Sequence, residues 1–333
     1  MKRFSGIIPI LLILLLVFIS IGSCKKPVNP IKYSLGTFPD SVYNLKGLNT
    51  QYDDYNSALL VLGSTLPIIF SSNRGSNGGQ FDLVQGSLTY KFDQTTGAFS
   101  LASSMTSDLF LTSLISSANT SGNDFGPLNL FSLSDGNNYL MLASQNGGQL
   151  LDLYYLKYQP QFNNNMPVVH GPYPVKLFNS SKNDAYITFN ANQDSAYFTS
   201  DVNGNYDILL HKRPAGTMLD TWFNQDYSAS VLADSINSSY DDKCPFILKN
   251  VMIFTSNRPG GMGGFDLYYS IFKNGRWNAP VNLGPKINSS SDEYRPVLGY
   301  DPEFTNMFII FSSNKSGGMG GYDLYFTGFN VPN

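Results

Sequence analysis

The chain of 333 residues has 21 Lys and Arg against 24 Asp and Glu, a formal net charge of −3, and 14% charged residues where about 25% is usual. This mild acidity argues against a surface built for a phosphate backbone, and the length is enough for a sizeable core. With 24 Phe, 21 Tyr, 30 Gly and two Cys, the composition is that of a folded, turn-rich extracytoplasmic protein rather than a disordered or membrane-embedded one.

Residues 1–23 begin with Lys2 and Arg3, run apolar from Ile7 to Ile21 and leave through Gly22 and Ser23 to Cys24. That is the layout of a secretion signal. The apolar stretch is shorter than the roughly 20 residues a membrane span requires, so cleavage is expected. Loss of Lys2 and Arg3 leaves 19 basic against 24 acidic side chains, a net charge of −5. Ile21-Gly22-Ser23-Cys24 resembles the bacterial lipobox, which implies a diacylglyceryl group on Cys24 as the mature N-terminus. Acyl chains hold a soluble body at a bilayer, and residues 24–41 are expected to be its tether. Lys25-Lys26-Pro27, with no acidic residue after the Cys, resembles lipoproteins sorted to the periplasmic side of a Gram-negative outer membrane, the cell surface being the alternative. With Cys24 modified only Cys244 remains, so no intramolecular disulfide can form. Beside Pro245, Cys244 reads as a buried apolar side chain.

From Val42 to Asn333 the chain repeats itself. Phe254 to Ser270 (FTSNRPGGMGGFDLYYS) returns as Phe311 to Thr327 (FSSNKSGGMGGYDLYFT), and Phe70 to Gly86 is a third copy. Leu142 to Leu156 and Phe198 to His211 are degenerate copies. The marker serines Ser72, Ser144, Ser200, Ser256 and Ser313 lie 72, 56, 56 and 57 residues apart, a period suited to a four-stranded propeller blade. Each unit reads as an acidic turn, an inner strand, a short turn, a second strand, a Gly-rich turn, a third strand and an outer strand. The extra residues in the first interval, the Ser/Thr-rich Thr95 to Thr120, read as a long loop or insertion. The predicted architecture is therefore all-β, a five-bladed propeller. Val42 to Thr50 aligns with the outer strand Val281 to Ser289, which the last unit lacks, so it should pair with the C-terminal blade and close the ring.

These repeats resemble the TolB-type, WD40-like propeller repeats of Bacteroidetes envelope lipoproteins. The resemblance covers almost the whole mature chain and implies a propeller scaffold more than any activity. It sets an expectation of a non-catalytic lipoprotein whose rim captures an envelope protein, with a glycan-binding lipoprotein or a five-bladed sugar-active enzyme as the alternative.

Within the repeat, Asn73, Arg74, Asn257, Arg258, Asn314 and Lys315 occupy the turn after the second strand. The acidic turn should lie beside it, placing Asp53 and Asp54 near Arg74, Asp241 and Asp242 near Arg258, and Asp292 and Glu293 near Lys315. Asp82, Asp152, Asp207, Asp266 and Asp323 recur in all five copies, as turn-holding residues do. Blades two and three have lost the turn cation and carry Tyr139, Tyr154, Tyr155, Tyr158 and Tyr173, the candidate docking side of the rim. Asp201 to Asp207 alternates oxygen ligands but lacks the sixth-position Gly and distal Glu of a calcium loop. His170 and His211 have no partner at ligand spacing, so neither metal nor cofactor is expected. A sugar-active propeller would need axial carboxylates. Of the two Glu, Glu293 falls in a repeated turn and Glu303 on the opposite face, and no nucleophile elbow or phosphate loop appears.

Overall fold

The computed structural model describes residues 31–60, 65–159, 168–233 and 235–331; the signal segment and Cys24 lie outside them. Five antiparallel sheets form the five blades of a propeller. Blade 1 comprises β2 (Asp54–Leu59), β3 (Thr65–Ser72), β4 (Asp82–Phe92) and β5 (Phe99–Met105); blade 2, β6 (Asp124–Phe131), β7 (Asn138–Ser144), β8 (Asp152–Tyr158) and β9 (Val169–Pro174). Blade 3 holds β10 (Asp184–Phe189), β11 (Ser195–Ser200), β12 (Asp207–Lys212) and β13 (Val231–Leu232). In blade 4, β14 (Asp242–Leu248), β15 (Val251–Ser256) and β16 (Asp266–Lys273) are followed by two short strands, β17 (Arg276–Trp277) and β18 (Val281–Asn282), both paired to β16. Blade 5 is β19 (Glu293–Gly299), β20 (Met307–Ser313) and β21 (Asp323–Phe329), completed by β1 (Tyr43–Asn44) from the other end of the chain.

The closure predicted from sequence is present: Tyr43 faces Phe326 and Asn44 faces Tyr325 in the ladder. Closure begins earlier than Val42, in the stretch read as tether. Phe38 is buried and stacks on Phe304 with ring centroids 3.8 Å apart, while its N–H and C=O bond the Asn306 side chain. The Ser/Thr-rich stretch is not a loop. It supplies β5, the outer strand of blade 1, and helix α1 (Leu109–Ala118), capped by Asp108, whose carboxylate accepts the Leu111 N–H. Leu111, Leu114, Ile115 and Ala118 recur at helical spacing and pack against Ile69, Leu140 and Leu156.

Because successive strand residues point to opposite faces, each blade is apolar on both, and the core is divided into five clusters set between neighbouring blades. Polar ties repeat with the same pseudo-symmetry. Asn49, Asn119, Asn179, Asn237 and Asn288 each accept a backbone N–H and donate to the C=O of the same residue on the third strand of the preceding blade, namely Leu324, Leu83, Leu153, Ile208 and Leu267. The sequence announces these clamps as an Asn-Ser/Thr pair whose Asn lies five residues ahead of the inner-strand acid.

Candidate functional site

Each inner strand begins on a buried acid: Asp54, Asp124, Asp184, Asp242 or Glu293. Four residues upstream, the backbone N–H of Thr50, Thr120, Ser180, Ser238 or Ser289 donates to that carboxylate. Arg74 joins Asp54, and Arg258 joins Asp242, at 2.5 Å, as the charge pattern predicts. Lys315 is too short for the same reach and lies 3.9 Å above the Tyr325 ring instead, leaving Glu293 to the hydroxyls of Ser289 and Ser313. Asn73, Asn257 and Asn314 accept the N–H groups of Asp53, Asp241 and Asp292. Of the five recurrent aspartates, Asp266 and Asp323 accept two turn N–H groups each. Asp82 and Asp207 bond side-chain amides, and Asp152 is half-buried at the start of β8 with its carboxyl raised by desolvation. In Asp201 to Asp207, Asp201 accepts both the N–H and the amide of Asn183, so the segment is a blade turn. Among the described residues no three His, Cys, Asp or Glu side chains gather as a metal site.

In blades 2 and 3, which have no turn cation, burial raises the carboxyl of the inner-strand acid. The Asp184 carboxyl is pushed up to about 6 by burial, with Oδ1 lacking a hydrogen-bond partner. A carboxyl raised from its ordinary value of 3.8 to about 6 costs stability above pH about 6 and nothing below about 4. Val202 occupies the Arg74 position, its N–H bonding Ser200 as Arg74 bonds Ser72. Val202→Arg is therefore expected to stabilise the protein at pH 7 by about 1–3 kcal/mol. The gain should vanish by pH 4, as measured by urea unfolding across that range.

The residue before each buried acid ties neighbouring blades. Asp53, Asn123, Asn183, Asp241 and Asp292 accept the N–H of Tyr322, Phe81, Leu151, Tyr206 and Phe265 respectively. Two residues further into each inner strand the register slips by a bulge, and the bulge residues Asn56, Gly126, Tyr186, Cys244 and Arg295 all have positive φ. A bulge re-aims side chains, here toward the propeller axis. Gly126 is required, since a Cβ there would lie 2.5 Å from the Tyr186 ring. Cys244 is fully buried and its thiol is pushed up to about 12 by desolvation, an inert side chain as expected.

Together these residues shape an axial funnel of about 320 Å³ on the face that carries the acidic and Gly-rich turns. Its walls are aromatic: Tyr55 lies 5.1 Å from Phe81 and 5.5 Å from Tyr322, and Tyr294 lies 5.6 Å from Phe265 and 6.2 Å from Tyr186. Lys243 stands 4.0 Å over the Tyr206 ring and 3.5 Å from the Asp241 carboxylate. The lining carboxylates are Asp53 and Asp292, and Tyr322 connects them, its N–H donating to Asp53 at 2.8 Å and its O–H to Asp292 at 3.1 Å.

The tyrosines expected on the rim of blades two and three are elsewhere. Tyr139, Tyr155 and Tyr158 are buried core side chains, with the Tyr139 hydroxyl on Asp135 and the Tyr158 hydroxyl on Asn129. Tyr154 is half-buried on β8 and Tyr173 is exposed on β9. Tyr155, Tyr158 and Tyr173 border a cavity of about 750 Å³ with Lys157, His170 and Asp220 at the outer side of blade 2, away from the axis. The funnel was missed, although the position after each buried acid (Tyr55, Phe125, Ala185, Lys243, Tyr294) varies between copies and supplies Tyr55, Lys243 and Tyr294 to its lining.

No family model and no curated protein sequence matches the chain. Solved structures do. A thermostable family-43 glycoside hydrolase is similar with a TM-score of 0.52 at 11% identity, over 84% of this chain and 90% of its own. An endo-arabinase from Bacteroides thetaiotaomicron VPI-5482 gives 0.52 at 12% identity over 90% and 99%. An exo-1,5-alpha-L-arabinanase from a bovine ruminal metagenomic library gives 0.52 at 8% over 87% and 97%. These likenesses overturn the expected kinship with TolB-type, WD40-like propellers. The expectation of a non-catalytic interaction scaffold, drawn from that kinship, is corrected with it: the neighbours in fold are a glycoside hydrolase and two arabinan-named enzymes. At such identities the likeness is one of fold.

Proposed function

We propose that this protein is a glycoside-cleaving propeller that takes a polysaccharide into the axial funnel. The observation that carries the reading is the funnel itself, where aromatic faces suited to stacking on sugar rings surround two aspartates joined through Tyr322. Glycoside cleavage needs two carboxyl groups, one to protonate the leaving oxygen and one to activate water or attack the sugar. Asp53 and Asp292 are assigned to that pair, and Lys243 to a sugar hydroxyl. Fold relatives whose names state action on arabinan put arabinose-containing polysaccharides first among the candidates. Retention on immobilised polysaccharides tests the binding half: Tyr294→Ala and Tyr55→Ala should each weaken retention about 2–10-fold, for a stacking face worth about 0.5–1.5 kcal/mol. Equal retention of wild type and both variants would remove the funnel from the account.

The same proposal places the enzyme on the outer membrane through a lipid on Cys24, probing chains that reach the periplasmic face. Cys24→Ala should move the protein from the membrane pellet to the soluble envelope fraction without changing its specific activity; pelleting of the variant with the membrane would refute the anchor.

A further inference from the structure

We propose that the propeller axis holds one small monovalent anion of the halide class, bound by the guanidinium of Arg295 beneath the floor of the funnel. The inference is independent of any sugar in the funnel.

Arg295 is a bulge residue of β19 and is fully buried. Its Nη2 donates to the Pro127 carbonyl at 3.1 Å, whereas Nε and Nη1 have no hydrogen-bond partner. The guanidinium lies 5.7 Å from the centre of the Tyr186 ring. Among the described residues no carboxylate forms an ion pair with it; the paired cations are Arg74, Lys157, Lys243, Arg258 and Lys286. The groups that face it are the Cys244 thiol and the hydroxyls of Tyr186 and Tyr294, all raised by desolvation and neutral at physiological pH. The axis therefore carries a full positive charge with no protein counter-charge, the arrangement that burial penalises most. Arg does not escape it by losing a proton.

Asn56, the bulge residue of β2, also reaches Tyr186, and its Oδ1 is buried without a partner. Turned over, that amide presents a further donor. Water would satisfy the N–H groups but not the charge, and an anion does both. Size follows from burial: Tyr186 and Tyr294 line the funnel while Arg295 is fully buried, which excludes a sugar acid and restricts the ligand to a single-atom anion.

Two measurements on the full chain test this. In crystals grown with bromide, an anomalous peak is expected within hydrogen-bonding reach of Arg295 Nε and Nη1; ordinary water there without a bromide signal would overturn the proposal. In solution, raising chloride about a hundredfold against methanesulfonate at constant ionic strength should raise the wild-type Tm by about 2 °C or more. Arg295→Met should lose that chloride response, and an unchanged response in the folded variant would equally overturn the proposal. If Arg295→Met does not fold, the bromide map decides alone.

Discussion

Asp292→Asn and Asp53→Asn are each expected to lower the rate of polysaccharide cleavage about 10²–10⁴-fold while leaving the protein folded. The second half of that expectation comes from the repeat. Asn123 and Asn183 occupy the same position in blades 2 and 3 and accept the same inter-blade N–H, so an amide at Asp292 or Asp53 keeps the tie to Phe265 or Tyr322. What it removes is the capacity to carry or accept a proton. Initial rates of reducing-end release, with unfolding curves for the same preparations, separate the two effects. Wild-type rates in both variants would dismiss this carboxylate pair.

The second large effect concerns the fold. Asp54→Ala should destabilise by about 3–5 kcal/mol, because it strands Arg74 at a half-buried site and strips the acceptor from Thr50 and Ser72. Asp184→Ala should cost much less at pH 7. No cation is orphaned there, and the ionised carboxylate is already disfavoured by burial. Urea midpoints of the two variants provide the comparison; equal losses would show that the turn cations contribute nothing.

The contrast between these sites explains which parts were legible in the sequence. Ser-Asn-Arg with Asp-Asp upstream recurs, so blade number, strand order, ring closure and the Arg74 and Arg258 pairs could be read from recurrence. Blade 1's outer strand could not: Phe99 to Met105 is rich in Ser, and only Phe99 and Leu101 of its residues join the core. Nor could the funnel. Strand alternation tells which side chains face a blade's neighbours, but a bulge after Tyr55, Phe125, Ala185, Lys243 and Tyr294 shifts that alternation by one residue. Residues that would otherwise face the core turn to the axis. Seeking function in the departures of blades two and three led to Tyr139 and Tyr155, which alternation keeps inside. One position beyond the buried acids, Tyr55, Lys243 and Tyr294 line the funnel.

The most direct test of the central claim is reducing-end release from a panel of polysaccharides by the purified full chain, arabinose-containing polymers first. The account predicts new reducing ends from at least one of them, lost in Asp292→Asn. Retention on a polysaccharide with no bond cleaved across the panel would contradict it and leave the funnel as a sugar-binding site alone.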